Sequence, residues 1–236
     1  MIDRYSHIGK WHADTDGDNQ DYICSGKYGK NSVITLADGV SSCKESKTGA
    51  KITADTVTNL FLKKGELLQE YSEQDIANMT LVEVLYELEQ AAGSDNREIE
   101  DYSSTIASVL HDKKNKRLMC MSLGDSLIIG TSGEDCYVLT SPYDSRKGCC
   151  VTTTQGAETQ TQIRIIDDAE IDSVIILSDG AWRPLFERGS MKKDIRSMLA
   201  AEDYEGLKNY LTEQNGNDDY SFITMDITRK SGKALK

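Results

Sequence analysis

The sequence predicts an α+β fold, and three observations carry the prediction. Short apolar, β-branched runs end repeatedly in acidic turns; several of these runs group as antiparallel hairpins; and the helical stretches come in blocks rather than one per strand. Alternation of one helix with each strand would instead point to a doubly wound parallel sheet. Two packed sheets flanked by helices satisfy the pattern.

Val33-Ile34-Thr35-Leu36-Ala37 reads as a buried strand that stops at the turn signal Asp38-Gly39. Val174-Ile175-Ile176-Leu177 does the same before Asp179-Gly180, and Leu118 to Leu123 before Gly124-Asp125, with Ser126 to Thr131 following as a further strand. Thr105 to Leu110 is placed to pair with the Leu118 run through a polar turn at Asp112 to Lys116. Ala50, Ala54, Val57 and Phe61 mark one helix; Ile76, Met79, Val82, Leu85 and Leu88 mark the next. A polar stretch from Ser141 to Thr161 leads to a strand near Ile163 to Ile166. Short helices within Ala181 to Glu213 and a last strand, Ser221 to Ile227, complete the order.

A chain of 236 residues is long enough to bury about 70–75% of its unfolded surface in one core, so residues 1–236 are expected to form a single domain. A formal charge of −12 opposes a phosphate backbone, which excludes nucleic acid as an expected partner. An acidic protein acting on an anionic substrate must invert its local field, and bound divalent cations do that. No stretch approaches the ~18 apolar residues of a membrane span, so no membrane partner is expected. The six cysteines contain no C-x-x-C pair, and three lie in apolar strand-like runs. That usage suits reduced thiols, and the expected location is cytoplasmic.

Asp38, Asp125 and Asp179 each directly follow a strand-like run, and Asp218-Asp219 directly precedes one. Taken singly, an Asp-Gly is a plain β-turn. Strand ends converge readily, however, and carboxylates gathered at a sheet edge repel one another unless cations neutralise them. An oxygen-rich set of this kind suits hard ions such as Mg or Mn.

Six short segments occur in order: Asn19-Gln20-Asp21, Leu36-Ala37-Asp38-Gly39, Ser103-Ser104-Thr105, Leu123-Gly124-Asp125-Ser126, Leu177-Ser178-Asp179-Gly180-Ala181-Trp182 and Asp218-Asp219-Tyr220-Ser221. In order and spacing they resemble the metal-dependent protein phosphatase 2C family over nearly the whole chain. Ser6-His7 and Gly49-Ala50 make the resemblance closest to a bacterial branch. It implies a central β-sandwich of two mainly antiparallel sheets flanked by helices, and hydrolysis of phosphoserine and phosphothreonine on proteins with Mn2+ or Mg2+. It further implies that Asp38 bridges two ions, that the Gly39 carbonyl and Asp21 serve the second, and that Asp179 and Asp218 complete the first. Asp125 matches an acid that shares a weaker third ion with the one matching Asp179. A water activated by two divalent ions needs no protein nucleophile. Consistently, no cysteine here has an arginine six residues downstream. The partners implied are a phosphorylated protein and, beyond it, a Ser/Thr kinase.

The chain departs from the family at two places. Asp16 stands where many members carry the arginine that grips substrate phosphate; His7, Arg4 and Lys10 are the nearest basic candidates, with His7 preferred for its place in the Ser-His pair. Val40 stands where some relatives have a proton-donating histidine, leaving the general acid open between His12 and an activated water. Two further readings compete with a protein phosphatase: a catalytically silent relative that binds a phosphorylated partner, and a phosphatase of small metabolites. Asp14, Asp16 and Asp18 alternate like the start of a calcium loop, but the loop's glycine and glutamate positions hold Asn19 and Ser25. Cys149-Cys150 is read as two ordinary thiols rather than a redox pair, and Trp182 as a core anchor rather than a substrate contact.

Overall fold

The structure is a computed structural model that describes residues 1–15, 17–142, 150–214 and 216–228. Among these residues the strands are β1 (Ile2–His7), β2 (Asp21–Tyr28), β3 (Asn31–Asp38), β4 (Ile106–Asp112), β5 (Arg117–Leu123), β6 (Leu127–Ser132), β7 (Asp135–Thr140), β8 (Gln162–Asp167), β9 (Ser173–Leu177), β10 (Phe186–Glu187), β11 (Ser190–Met191) and β12 (Tyr220–Asp226). The helices are α1 (Lys10–Asp14), α2 (Ser46–Leu68), α3 (Glu73–Asp95), α4 (Ala157–Gln160), α5 (Asp179–Trp182), α6 (Lys193–Ala200) and α7 (Tyr204–Gln214). None of the described helices is long and apolar enough to cross a membrane.

Two five-stranded sheets form, ordered β1-β12-β9-β6-β7 and β2-β3-β4-β5-β8, with a separate β10-β11 hairpin. Neighbouring strands in both sheets pair antiparallel. The expected β4–β5 hairpin is present, with Ile106 opposite Leu123 and Asp112 opposite Arg117. Three strands of the two sheets were not singled out from sequence, the terminal β1, the half-exposed β2 and the outer strand β7, and neither were the short α1, α4 and the β10-β11 hairpin. β1 and β2 lack the continuous apolar run that marks the central strands, while β7 carries one, Cys136 to Leu139, of which Tyr137 and Val138 are exposed.

Strand alternation sorts the side chains into layers. Ile34 and Leu36 of β3 meet Ala107, Val109, Cys120, Ile128, Val174, Ile176 and Ile223 between the sheets. Val33 of β3 turns the other way, into a cluster with Val57, Phe61, Ile76, Val84 and Leu88 of α2 and α3. On the far side Ile129, Ile175, Leu177 and Phe222 pack with Ile195, Leu199, Leu207 and Leu211 of α6 and α7. The result is the α-β-β-α sandwich. Its four layers meet at three apolar interfaces, so each sheet must be apolar on both faces, and the central strands therefore read as unbroken runs.

The helix α3 begins at Ser72, whose hydroxyl accepts from the Asp75 amide, and ends at Asn96 in the left-handed conformation with φ 52°. Its buried face is Ile76, Ala77, Thr80, Leu81, Val84, Leu88 and Ala92, while Val82 is exposed. The sequence stripe Ile76, Met79, Val82, Leu85, Leu88 is thus corrected at Val82, while Ile76 and Leu88 are buried and Met79 packs against the core. A strict three-residue step falls about 60° short of a full turn each time, whereas alternating steps of three and four hold one face.

Candidate metal centre

The apolar strip between the sheets gives way, at one edge of the sandwich, to acids. In β3 the inward series Ile34, Leu36 continues to Asp38; in β2, Ile23 is followed on the same face by Asp21, which lies directly opposite Asp38 in register. Directly opposed side chains in an antiparallel pair stand roughly 5 Å apart at Cβ, so two carboxylates are forced together by strand pairing alone. In β9 and β12 the inward series beyond Ile176 and Ile223 reaches Ser178 and Ser221, whose segments are joined by Ser178 N–H to the Ser221 carbonyl at 3.0 Å and Ser221 N–H to Ser178 Oγ at 3.0 Å. Asp179 follows Ser178 directly, and Asp218-Asp219 precede Ser221 with Tyr220 between.

Each acid-bearing turn is fixed by local chemistry. Thr105 clamps the Asp38 backbone twice, its hydroxyl accepting from Asp38 N–H at 2.9 Å and its own N–H donating to the Asp38 carbonyl at 2.8 Å. Gly39 donates to the Gln20 carbonyl at 3.1 Å and bridges Ser104, which gives the Ser103-Ser104-Thr105 segment its purpose. Gly124, before Asp125, has φ +101°, a conformation that L residues with side chains rarely adopt. Gly180 allows the first turn of α5 to rest on the β12 lead-in: a Cβ there would stand 2.2 Å from the Asp219 carbonyl oxygen. Trp182 donates its indole N–H to the Asp125 carbonyl at 2.7 Å and sets its ring edge-on to Phe186 at 5.8 Å, as a core anchor would.

The electrostatics are those of an undercompensated anionic cluster. Burial pushes Asp38 well above the ordinary carboxylate range, and Asp21, Asp179, Asp125 and Asp218 add repulsion. Asp21 is pushed up to about 7, chiefly by burial, with Asp219 and Asp179 contributing. Asp179 is raised to about 6 by burial and by Asp125, and Asp125 is raised by burial. Asp21 is 7% exposed, and neither of its carboxylate oxygens has a hydrogen-bond partner. The Ser221 and Ser178 hydroxyls lie near enough to limit that rise, yet Ser221 Oγ donates to Ser6 and Ser178 Oγ accepts from Ser221 N–H. Two buried, unpartnered carboxylate oxygens are a costly arrangement that a bound cation would relieve.

These residues fit divalent ions by donor type: hard oxygens, several carboxylates, and orphaned acceptors facing their own kind. Among the described residues, no three acid, histidine or cysteine side chains are already drawn round one point as a finished ligand cage. Mutual repulsion among the carboxylates opposes such a convergence. Arg183 holds two of them: its Nη2 lies 3.0 Å from Asp125 Oδ2 and 2.9 Å from Asp179 Oδ2.

His7 is placed differently from the sequence expectation of a phosphate grip. Tyr5 and His7 share the face of β1 that meets the α7 layer. Tyr5 Oη hydrogen-bonds Thr212 of α7 at 2.8 Å, and the His7 ring stacks on Tyr220 at 4.9 Å with Nδ1 on the Ile8 carbonyl. Strand alternation thus sends Ser6, not His7, toward the sheet interface, where it meets Ser221 and Asn19. Asp16 and Cys149 lie outside the described residues. Cys150 is buried, and burial raises its thiol, which disfavours the reactive thiolate.

Two sets of contacts were not anticipated from the sequence, although Asp219 itself stands in the Asp218-Asp219 pair read there. Asp219 is 3% exposed; its Oδ1 accepts from Gly9 N–H at 2.8 Å, and its Oδ2 accepts from Gln20 N–H at 2.7 Å and lies 2.9 Å from His12 Nδ1. It ties the β1–α1 turn and the start of β2 to the β12 lead-in, across about 200 residues of sequence. Arg183 was legible only as a basic residue four positions after Asp179 in a helical turn, a spacing that favours an ion pair.

Residues 8–214 match the protein phosphatase 2C family, and the chain belongs to that family of phosphatases. No curated protein sequence matches it. Its fold is similar to that of a bacterial serine phosphatase (TM-score 0.70, 15% identity, covering 98% of this chain and 99% of that one). It is similar also to the serine/threonine phosphatase Stp1 from Staphylococcus aureus (TM-score 0.72, 16% identity, 97% and 95% covered). RsbX in complex with magnesium shares the fold as well (TM-score 0.61, 15% identity, 96% and 94% covered).

Proposed function

We propose that this chain is a metal-dependent phosphatase that hydrolyses phosphoserine and phosphothreonine on proteins. The observation that carries the reading is the buried, unpartnered carboxylate of Asp21 facing Asp38 across a strand pair. Asp38, the Gly39 carbonyl and Asp21 would hold one ion, and Asp38, Asp179 and Asp218 another, with Asp125 on the outer side of Asp179. When bound, Mn2+ or Mg2+ supplies an acidified water and offsets charge on the phosphoryl oxygens.

The chain's own residues do the rest. Thr105 and Ser104 hold the Asp38-Gly39 backbone, so that the carboxylate and the adjacent carbonyl are presented together. Asp219 fixes the imidazole of His12 through Nδ1, which leaves Nε2 to donate a proton to the departing seryl or threonyl oxygen. His12 therefore takes the general-acid role for which Val40 offers no histidine. Neither role requires a protein nucleophile.

The test is hydrolysis of p-nitrophenyl phosphate and of phosphothreonine peptides with manganese. Activity on both, abolished by Asp38→Ala or Asp179→Asn with the circular dichroism spectrum kept, is the expected result. Folded protein that binds manganese and turns over neither substrate would overturn it. Turnover of small phosphomonoesters without the peptides would transfer the substrate class to metabolites.

A further inference from the structure

The cation nearest the acid cluster is part of the chain. A single guanidinium nitrogen of Arg183, Nη2, lies between Asp125 Oδ2 at 3.0 Å and Asp179 Oδ2 at 2.9 Å. One guanidinium thus faces both carboxylates at ion-pair distance. The arginine has little freedom to be elsewhere. It follows Trp182, whose indole is bonded to the Asp125 carbonyl, and it opens a 3-10 turn with Pro184 next in line.

We propose that Arg183 is a tethered counter-cation that fills the corner between Asp125 and Asp179 and closes it to a divalent ion. This rests on the metal-centre reading above. The physical case is one of local concentration. A guanidinium four residues along the same helical turn reaches Asp179 at no translational cost, whereas a free ion must be drawn from solution and partly dehydrated. The contact runs through Oδ2 of both acids, so in this arrangement the guanidinium satisfies the Asp125 side of Asp179 and an ion is held on the side of Asp38 and Asp218. Ion binding in this chain is thereby confined to the Asp21, Asp38 and Asp218 side of the cluster. Arg183 is half-exposed, so its removal opens the corner without hollowing the core.

The proposal is tested by manganese binding rather than by turnover. Isothermal titration and electron paramagnetic resonance would count ions per chain in the unsubstituted protein, Arg183→Ala, Arg183→Lys, and Arg183→Ala combined with Asp125→Asn. Arg183→Ala is expected to gain one manganese per chain, bound at least tenfold tighter than any matching event in the unsubstituted protein. Arg183→Lys should show no such gain, and adding Asp125→Asn should abolish it. If the Ala variant does not fold, Arg183→Gln removes the charge and keeps most of the stem. Equal ion number and affinity with and without the guanidinium overturns the proposal while leaving the metal centre standing. Absence of any manganese binding, including to the unsubstituted protein, overturns both.

Discussion

Replacing Asp21 with asparagine should make the metal-stripped protein more stable at alkaline pH, although it removes a residue from the centre. Asp21 is raised from 3.8 to about 7, with burial as the leading cause. A carboxyl whose folded value lies above its unfolded one binds protons more tightly in the fold. Its stabilising contribution is therefore complete below about pH 4 and is lost as pH climbs toward 7. At pH 8, above both values, the ionised group costs the folded state roughly 4 kcal/mol. Asparagine keeps the shape and removes the charge but brings an amide that needs its own partners, so a net gain of about 2–4 kcal/mol is expected. For a chain of this size that is a rise in melting temperature of about 5–15 °C. The gain should shrink to less than half by pH 5, where the native carboxyl is already protonated. Melting curves of both proteins in a chelator at pH 5, 6.5 and 8 read this directly. With manganese the order should narrow or reverse, since an ion at 100 times its dissociation constant contributes about 2.7 kcal/mol to whichever protein binds it. Coincident melting curves in chelator at every pH, or a lower midpoint for the asparagine variant at pH 8, would refute the account of Asp21 as a buried, uncompensated anion.

Other expectations concern the same edge of the sandwich. Manganese affinity should rise between pH 5 and 8, because protons compete for Asp179, raised to about 6, and Asp21, raised to about 7; a flat titration would contradict this. His12→Gln should lower turnover about 10²–10⁴-fold on phosphopeptides while affecting p-nitrophenyl phosphate far less, since that leaving group departs without a proton; equal losses on both substrates would remove His12 from the role of acid. Asp219→Asn, which weakens the Nδ1 partner, should lower turnover on phosphopeptides more than on p-nitrophenyl phosphate and also lower the melting point, because Asp219 accepts from two backbone amides. Gly180→Ala should destabilise the protein by about 1–3 kcal/mol, since the added methyl would meet the Asp219 carbonyl oxygen; chemical denaturation measures it.

Local pattern was enough to recover the layers of this molecule. Strands such as β3 and β9 are apolar on both faces, and a turn residue ends each, so their existence, burial and termini follow from residues that are neighbours in sequence. Asp38, Asp125, Asp179 and Asp218 were likewise legible, because each stands beside the end of an apolar strand, whereas Asp21, at the start of β2, came only from the family resemblance of Asn19-Gln20-Asp21. β1 and β2 were not, since a half-exposed strand carries too few apolar residues to declare itself, and Val82 was misplaced because three-residue spacing imitates a helical face over only a few turns.

Which acids oppose each other, and what answers their charge, depended on tertiary structure. The facing of Asp21 and Asp38 is a matter of register between two strands, and the outward turn of His7 is a matter of which side of a pleated strand an odd or even residue takes. Asp219 binding His12, Gly9 and Gln20 joins the two ends of the chain, and no local spacing encodes that contact. Arg183 appears in the sequence as one basic residue among 27; only the packing of α5 against the Gly124-Asp125 turn brings its guanidinium between two carboxylates. Composition and spacing thus determined that an acidic centre would form at a sheet edge. The long-range pairing of strands and turns, which alone sets distances between residues far apart in sequence, decided how that centre is held and what shares it.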